Sequence, residues 1–155
     1  MTKQEVDLKE GEGIRTAIDV AIFNDNGKVL LGKRLAQAGF GTWGFVGGHL
    51  RTGEKIIDGA RREISEELGK NAQIEPINEI LAVRENSLEP NLIHHVTVII
   101  RGKYIGGDIK VNEPKRCEKW EWFSLDNLPS ELFSGVQETL ESFKQQKATV
   151  VSDWR

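Results

Sequence analysis

The sequence predicts an α/β (α+β) protein in which a mixed β-sheet lies between helices. Segments rich in Ile and Val alternate irregularly with other segments, and two stretches, 55–68 and 134–146, carry apolar residues at helical spacing. A chain of 155 residues is long enough for one domain with a substantial core. We expect a single domain over residues 1–155, with its core at about 14–146.

The first half of the chain begins with a polar, charged stretch at residues 1–13 and continues with β-forming segments. Strands are expected at Arg15–Phe23, Lys28–Arg34 and Trp43–Val46. Residues 24–27, of sequence Asn-Asp-Asn-Gly, predict a hairpin turn between the first two strands, because these residue types tolerate positive φ. We expect Gly47 and Gly48 to form a tight turn after the third strand.

A helix is predicted over Lys55–Leu68, and Gly69 is a natural place for it to end. Its apolar residues form one stripe, made of Ile56, Ile57, Ala60, Ile64 and Leu68. Gly59 lies off this stripe, where a side chain would obstruct a close loop or ligand. Such a contact would explain a residue that costs a helix about 1 kcal/mol.

The second half predicts further strands and one more helix. The strands are expected at Gln73–Arg84, with Pro76 interrupting it, at Leu92–Tyr104 and at Lys119–Ser124. Residues 125–129 predict a turn or the start of a helix. Residues 134–146 form a second amphipathic helix through Val136, Leu140 and Phe143.

Composition excludes several classes of function. A net charge of −3 argues against a general surface for polymeric nucleic acid. Cys117 is the single cysteine, so no disulfide framework or cysteine-based zinc site is expected. The sequence contains no apolar stretch of membrane-spanning length, and residues 1–5 lack the apolar core of a signal peptide. We therefore expect a cytoplasmic protein that does not bind membranes.

Three carboxylates, Glu63, Glu66 and Glu67, are crowded onto one face of the first predicted helix. Like charges at this spacing repel one another, and a divalent cation removes that cost. Hard oxygen ligands of this kind suit Mg²⁺ or Mn²⁺. The alternative interpretation is a solvated helix face with no ligand.

Residues on both sides of the cluster follow the spacing G-x5-E-x7-R-E-U-x-E-E-x-G-U, where U is a bulky apolar residue. The matching residues are Gly48, Glu54, Arg62, Glu63, Ile64, Glu66, Glu67 and Gly69. Lys70 departs from the pattern at its last position, which weakens an anchor of the helix to the core and changes no chemical group. On these residues the chain resembles the Nudix hydrolase family.

This resemblance implies an α/β/α sandwich fold and Mg²⁺, or Mn²⁺, as the cofactor. It implies that Glu63 and Glu67 are the principal metal ligands. Glu66 would be a further ligand or would position the attacking water. The Gly48 carbonyl would join the metal shell, the alternative being a plain turn.

In the family, the residues corresponding to Glu54 and Arg62 serve the site indirectly. A hydrogen bond between them would fix the preceding loop against the helix, and Arg62 would orient the carboxylates. Glu54 can also act simply as a negative charge near the helix N-terminus, and both roles can hold together. For Arg62 the alternative is an ordinary surface cation.

A second motif lies at residues 112–123, which resemble the E-P-x-K-x-E-x-W-x-W segment of a nucleoside-triphosphate-cleaving branch of the family. In many members a late glutamate from this region reaches the metal or acts as a base. Glu113 is the first candidate and Glu118 the second, against the alternative of an ordinary acidic loop. Trp120 and Trp122 share one face of a strand and are expected in the core.

Candidate substrate contacts precede the first motif. The segment containing Lys33 and Arg34 resembles the substrate-side strand of the family, and either cation could meet phosphate, although a solvated strand end also explains them. The backbone of Gly47 and Gly48 would lie against the substrate.

His94 and His95 are adjacent on a predicted strand, so their side chains point to opposite faces and cannot chelate one ion. We expect one of them to be buried and the other to line the cleft, and we assign the cleft position to His95.

These observations lead to one function and two alternatives. The main hypothesis is a Mg²⁺-dependent pyrophosphohydrolase of nucleoside diphosphates linked to another group, above all nucleoside triphosphates, oxidised ones included, with a monophosphate and pyrophosphate as products. The alternatives are a nucleotide-sugar hydrolase and a catalytically silent Nudix module that senses a ligand. The expected partner is a small nucleotide, and relatives of this type are often homodimers.

Overall fold

The computed structural model describes residues 13–88 and 93–154. Eight strands and two helices follow one another in this part of the chain. Their bounds are β1 Arg15–Phe23, β2 Val29–Arg34, β3 Trp43–Gly44, β4 Val46–His49, α1 Ile56–Leu68, β5 Gln73–Leu88, β6 Ile93–Gly106, β7 Cys117–Phe123, α2 Val136–Gln145 and β8 Thr149–Trp154.

The strands form one mixed sheet with the order β3-β2-β1-β6-β5-β8, in which β4 also pairs with β1 and β7 with β2. The central strand β1 runs parallel to β6, with Ile18 opposite Val98. On its other side β1 pairs antiparallel first with β4 and, at its end, with β2. The Asn24 side chain accepts hydrogen bonds from the backbone N–H groups of Asn26 and Lys28, which confirms the predicted hairpin turn.

The two helices cover opposite faces of the sheet, and the central strand β1 is therefore buried on both of its faces. Ile18, Val20 and Ile22 join a core cluster with the apolar stripe of α1. Ala21 and Phe23 point the other way and pack with α2 and its neighbours. The predicted α/β/α sandwich with a mixed sheet is confirmed.

The structure corrects the expected turn at Gly47 and Gly48. Both residues lie within strand β4 and pair with Asp19 and Ile18 of β1. The glycines are needed for space, not for positive φ: a Cβ at Gly47 would collide with the carboxylate of Asp19, and one at Gly48 with the carboxylate of Glu63.

Two further differences concern strand lengths. β5 continues to Leu88, well past the expected end at Arg84, and β8 was not expected at all. β8 extends the sheet by pairing parallel with β5, so ordered structure reaches beyond residue 146. Residues 1–12 of the expected lead-in at 1–13 lie outside the described residues, and so does Leu92, the first residue of a predicted strand.

Trp120 and Trp122 are partly buried and pack against the α1-side cluster, as expected. None of the helices in the described ranges is long and apolar enough to cross a membrane.

Candidate active site

A cavity of about 620 Å³ lies beside α1 and against the sheet. This volume is in the range of small-molecule sites in proteins. Residues of α1, of the strands β1, β2, β4, β5, β6 and β7, and of the segment that enters β7 line it. Glu63, Glu66, Glu67 and Glu113 are the lining glutamates.

The α1 carboxylates reach this cavity because the apolar stripe of the helix is turned onto the sheet. Glu63 is buried and Glu66 is exposed, which follows from their different angles to the stripe. The backbone N–H of Gly47 donates to Oε2 of Glu67 at 3.2 Å. Strand β4 thus contacts both carboxylates: Gly48 leaves room for that of Glu63, and the backbone N–H of Gly47 binds that of Glu67.

Arg62 ties the loop before α1 to the carboxylates. Its Nε and Nη2 atoms donate to both carboxylate oxygens of Glu54, at 2.7 and 3.0 Å. Its Nη1 donates to Glu63 at 2.6 Å and to Glu66 at 3.3 Å, and Nη2 also donates to the carbonyl of His49 at 3.0 Å. Arg62 therefore orients the cluster through direct hydrogen bonds.

Glu54 is held in the same network. Besides its contact with Arg62, its carboxylate accepts a hydrogen bond from the backbone N–H of Arg51 at 3.0 Å. The hydrogen bond from Arg62, followed by that of Arg51, lowers the pKa of Glu54 to about 2. The carboxylate is ionised at any ordinary pH, which is what a permanent anchor of the loop requires.

The opposite shift marks the carboxylates inside the cavity. Burial, followed by the charge of Glu63, raises the pKa of Glu67 to about 9. Burial also raises the pKa of Glu63, although Arg62 opposes that shift. Carboxyl groups whose ionised forms are disfavoured in this way gain stabilisation from a cation placed between them.

Beyond the carboxylates, the sheet face that floors the cavity is polar and buried. Arg84 donates from Nη1 to Asp19 at 3.1 Å and from Nη2 to the hydroxyl of Thr97 at 3.2 Å. Asn86 is 1% exposed and lies on the same floor. Sequence reasoning missed this group, and its only local signal was an aspartate inside the otherwise apolar strand β1.

Of the two predicted substrate cations of β2, Arg34 lines the cavity and Lys33 does not. Arg34 lines the cavity, where its guanidinium lies 4.0 Å from the ring centroid of Phe133 and donates from Nε to the carbonyl of Ala38 at 3.0 Å. Lys33 points to the other face and forms an ion pair with Glu118 at 3.5 Å. Neither Lys33 nor Glu118 is among the residues that line the cavity.

His95 lines the cavity, while His94 is partly buried and outside the lining residues. The Nε2 atom of His95 lies 3.2 Å from Nε2 of His49, and its Nδ1 lies 2.9 Å from the carbonyl of Ile93. A carbonyl partner requires Nδ1 to carry a proton. In the neutral ring Nε2 of His95 is therefore the acceptor, and His49 donates.

A family model described as the NUDIX domain matches residues 13–145, which include every element that lines the cavity. This chain belongs to the NUDIX family. The match covers the motif from Gly48 to Gly69 and the late segment with Glu113, so the hydrolase resemblance drawn from the sequence is confirmed.

A solved NUDIX structure, the MutT NUDIX hydrolase from Burkholderia pseudomallei, superposes with a TM-score of 0.74 at 33% identity, covering 84% of this chain and 98% of that one. Among proteins of assigned activity, an RNA pyrophosphohydrolase from Bartonella clarridgeiae is 29% identical, over 75% of this chain and 79% of its own.

Two further NUDIX relatives carry other names. An oxidized purine nucleoside triphosphate hydrolase from Danio rerio is 29% identical, over 66% of this chain and 62% of its own. An ADP-ribose pyrophosphatase from Methanocaldococcus jannaschii is 31% identical, over 76% of this chain and 66% of its own. All of these names denote hydrolases, and they differ in the substrate.

Proposed function

We propose that this NUDIX protein is a Mg²⁺- or Mn²⁺-dependent pyrophosphohydrolase that prefers nucleoside triphosphates, oxidised ones included, and releases a monophosphate and pyrophosphate. The observation that carries the proposal is the convergence of Glu63, Glu67 and Glu113 on one cavity beside the bare backbone of Gly48. The raised pKa values of Glu63 and Glu67 give these groups a reason to bind a cation.

The residues fit a divalent metal ion in their chemistry. Within residues 13–88 and 93–154 no three acidic or histidine side chains form a preformed ligand set, and Arg62 is hydrogen-bonded to Glu63 and Glu66. Glu63, Glu67, Glu113 and the Gly48 carbonyl supply the hard oxygen donors that would hold it. When bound, the ion would neutralise phosphate oxygens and activate the attacking water.

The chain's own groups would divide the remaining work. Arg62 and Glu54 hold the carboxylates in register with the loop. Glu66, at the exposed end of the cluster, would position the attacking water. Arg34, held by Phe133 and by the Ala38 carbonyl, would pair with a phosphate oxygen, since a guanidinium matches the geometry of that group.

A nucleotide-sugar or ADP-ribose hydrolase is the second candidate, and the polar floor is the observation that favours it. Asp19, Arg84, Asn86 and Thr97 offer buried donors and acceptors to hydroxyl groups. The relative named as an ADP-ribose pyrophosphatase adds weight to this candidate. The late segment from Glu113 to Trp122 and the relative named for oxidised purine triphosphates favour the first.

Chromatography of products from a mixed pool separates the two. The pool contains nucleoside triphosphates, their oxidised forms, ADP-ribose, nucleotide sugars and an RNA oligonucleotide with a 5′-triphosphate, each with Mg²⁺. We expect nucleoside monophosphates and pyrophosphate to accumulate fastest. Dominant release of sugar phosphate or ribose 5-phosphate would replace the first candidate with the second.

A further inference from the structure

The C-terminal end of α1 is covered by the segment 110–112, which is part of the connection between β6 and β7. The last carbonyl groups of a helix have no partner inside the helix and must find one elsewhere. Here the backbone N–H of Lys110 donates to the carbonyl of Leu68 at 3.0 Å, and that of Asn112 donates to the carbonyl of Glu67 at 3.2 Å. The connection is thus hydrogen-bonded to the helix that carries the site carboxylates.

The side chain of Asn112 adds a third bond to the same helix end. Its Nδ2 donates to the carbonyl of Glu66 at 2.9 Å. Asn112 therefore donates to two successive carbonyl groups of α1: its side-chain amide donates to that of Glu66 and its backbone N–H to that of Glu67. Both of those residues belong to the carboxylate cluster.

Glu113 follows Asn112 directly and is fixed on its other side by a turn. Its carbonyl accepts hydrogen bonds from the backbone N–H groups of Arg116 and Cys117, both at 3.0 Å, at the start of β7. Its side chain lines the cavity. The position of this late glutamate relative to α1 thus depends on the residue immediately before it.

We propose that Asn112 is the positioning residue for Glu113: its side-chain amide holds the late glutamate at a fixed place opposite the α1 carboxylates. This inference rests on the proposed function only where activity is measured. An amide is suited to the role because it is a neutral donor, whereas an aspartate would be repelled by the helix carbonyl. The bond is exposed, so losing it should cost little stability while loosening Glu113.

The first test is independent of turnover. Hydrogen–deuterium exchange is followed in the wild type and in Asn112→Ala, over peptides covering 107–116 and 56–68. We expect faster exchange only in the peptide covering 107–116, because the backbone N–H groups of Lys110 and Asn112 would be held less firmly in their hydrogen bonds to α1. Unchanged exchange in 107–116, or equally faster exchange in α1, would overturn the proposal.

The second test is a double-mutant cycle on kcat with Glu113→Gln. We expect Asn112→Ala to lower kcat about tenfold with little change in KM, and to have no further effect once Glu113 is replaced. Asn112→His, whose Nδ1 stands as many bonds from the backbone as the lost Nδ2, should restore part of the activity. Val111→Ala is the matched control on an exposed neighbour.

The outcomes separate the two proposals. Multiplicative losses in the double variant would mean that Asn112 acts on the helix alone, and a fully active Glu113→Gln would leave no group for it to position; either result overturns the inference. A wild-type protein inactive on all substrates would sink the proposed function, and the exchange experiment would then decide on Asn112.

Discussion

At the scale of single residues, the site glutamates fall into two kinds according to the direction in which their pKa values are shifted. Glu63 and Glu67 are disfavoured as anions by burial, while Glu54 is kept ionised by Arg62. The same short stretch of chain therefore contains two carboxylates whose pKa values are raised, Glu63 in spite of its hydrogen bond from Arg62, and one whose pKa is lowered. This difference is consistent with the proposed ligand roles of Glu63 and Glu67, while the hydrogen bonds of Glu54 to Arg62 and Arg51 anchor the loop before α1.

We predict that Glu63→Gln and Glu67→Gln each lower kcat by at least about 10²-fold, in line with the loss of a principal charge-stabilising group. The fold should survive, because neither side chain belongs to the apolar stripe of α1. Steady-state kinetics and circular dichroism check the two claims. Glu138→Gln, on the exposed surface of α2, is the matched control, and near-normal activity in either site variant would refute the ligand assignment.

A second prediction concerns pH in the presence of a chelator. The pKa of Glu67 is about 9 in the folded state, against an ordinary 4.5, so between these values the folded protein holds a proton that the unfolded chain has lost. Stability from this group is therefore complete below about pH 4.5 and is lost as the pH rises through 9. Glutamine mimics the protonated form at every pH.

The melting temperature of Glu67→Gln, measured in EDTA from pH 5 to pH 9, should therefore rise relative to that of the wild type as the pH increases. The exposed substitution Glu138→Gln should give a curve parallel to the wild type. A constant difference between Glu67→Gln and the wild type would show that Glu67 titrates normally in the metal-free protein.

The sequence predicted the residues that lie close together along the chain and missed those that meet across strands. Glu63, Glu66 and Glu67 share a helix, where spacing in sequence fixes spacing in space. Asp19 and Arg84 meet only because β1, β6 and β5 lie side by side in a particular register, which no local pattern specifies. For the same reason the bond from Asn112 to α1 could not be foreseen.

At the scale of elements, helix α1 contains a glycine, Gly59, that lowers its helix propensity but allows a close contact with the loop before it. Gly59 was expected to lie against a loop or ligand, and the structure confirms it: a Cβ there would lie 2.8 Å from the Leu50 side chain and 3.2 Å from a carboxylate oxygen of Glu54. The missing side chain at Gly59 thus allows the loop that carries Glu54 to pack closely against α1.

We predict that Gly59→Ala leaves stability within about 1 kcal/mol of the wild type, because the gain in helix propensity offsets the displacement of Leu50. Activity should fall, since moving Glu54 disturbs its bonds to Arg62. Thermal unfolding and kcat, measured beside the exposed helix variant Arg61→Ala, test the separation. Parallel losses of stability and activity would contradict it.

Elements whose hydrophobic periodicity and turn residues lie within one segment were predicted well. Strands that are defined by pairing with a distant strand were not. Both helices and the β1–β2 hairpin carry their own periodicity and turn residues. β4 contains two adjacent glycines, which by themselves predict a turn, and only their pairing with β1 shows that they belong to a strand. β8 is short and half polar, and only its pairing with β5 makes it a strand.

At the scale of the whole molecule, we predict that EDTA abolishes hydrolysis and that Mg²⁺ or Mn²⁺ restores it. At pH 8 a saturating cation should also raise the melting temperature, since a ligand that binds the folded state alone stabilises it by about 2.7 kcal/mol at a hundredfold excess over Kd. Glu63→Gln and Glu67→Gln should lose most of this gain. Full turnover in excess chelator would refute metal dependence.

The parallel pairing of β1 with β6 has a consequence for how the chain reaches its native state. Strand β1 is the centre of the sheet, yet its partner Val98 is far along the chain from Ile18. During synthesis β1 can pair with β2 and β4, whereas its other edge stays without a partner until β6 is made, and such contacts between distant residues slow folding. The sheet of this protein can therefore be completed on the β6 side of β1 only after β6 has left the ribosome.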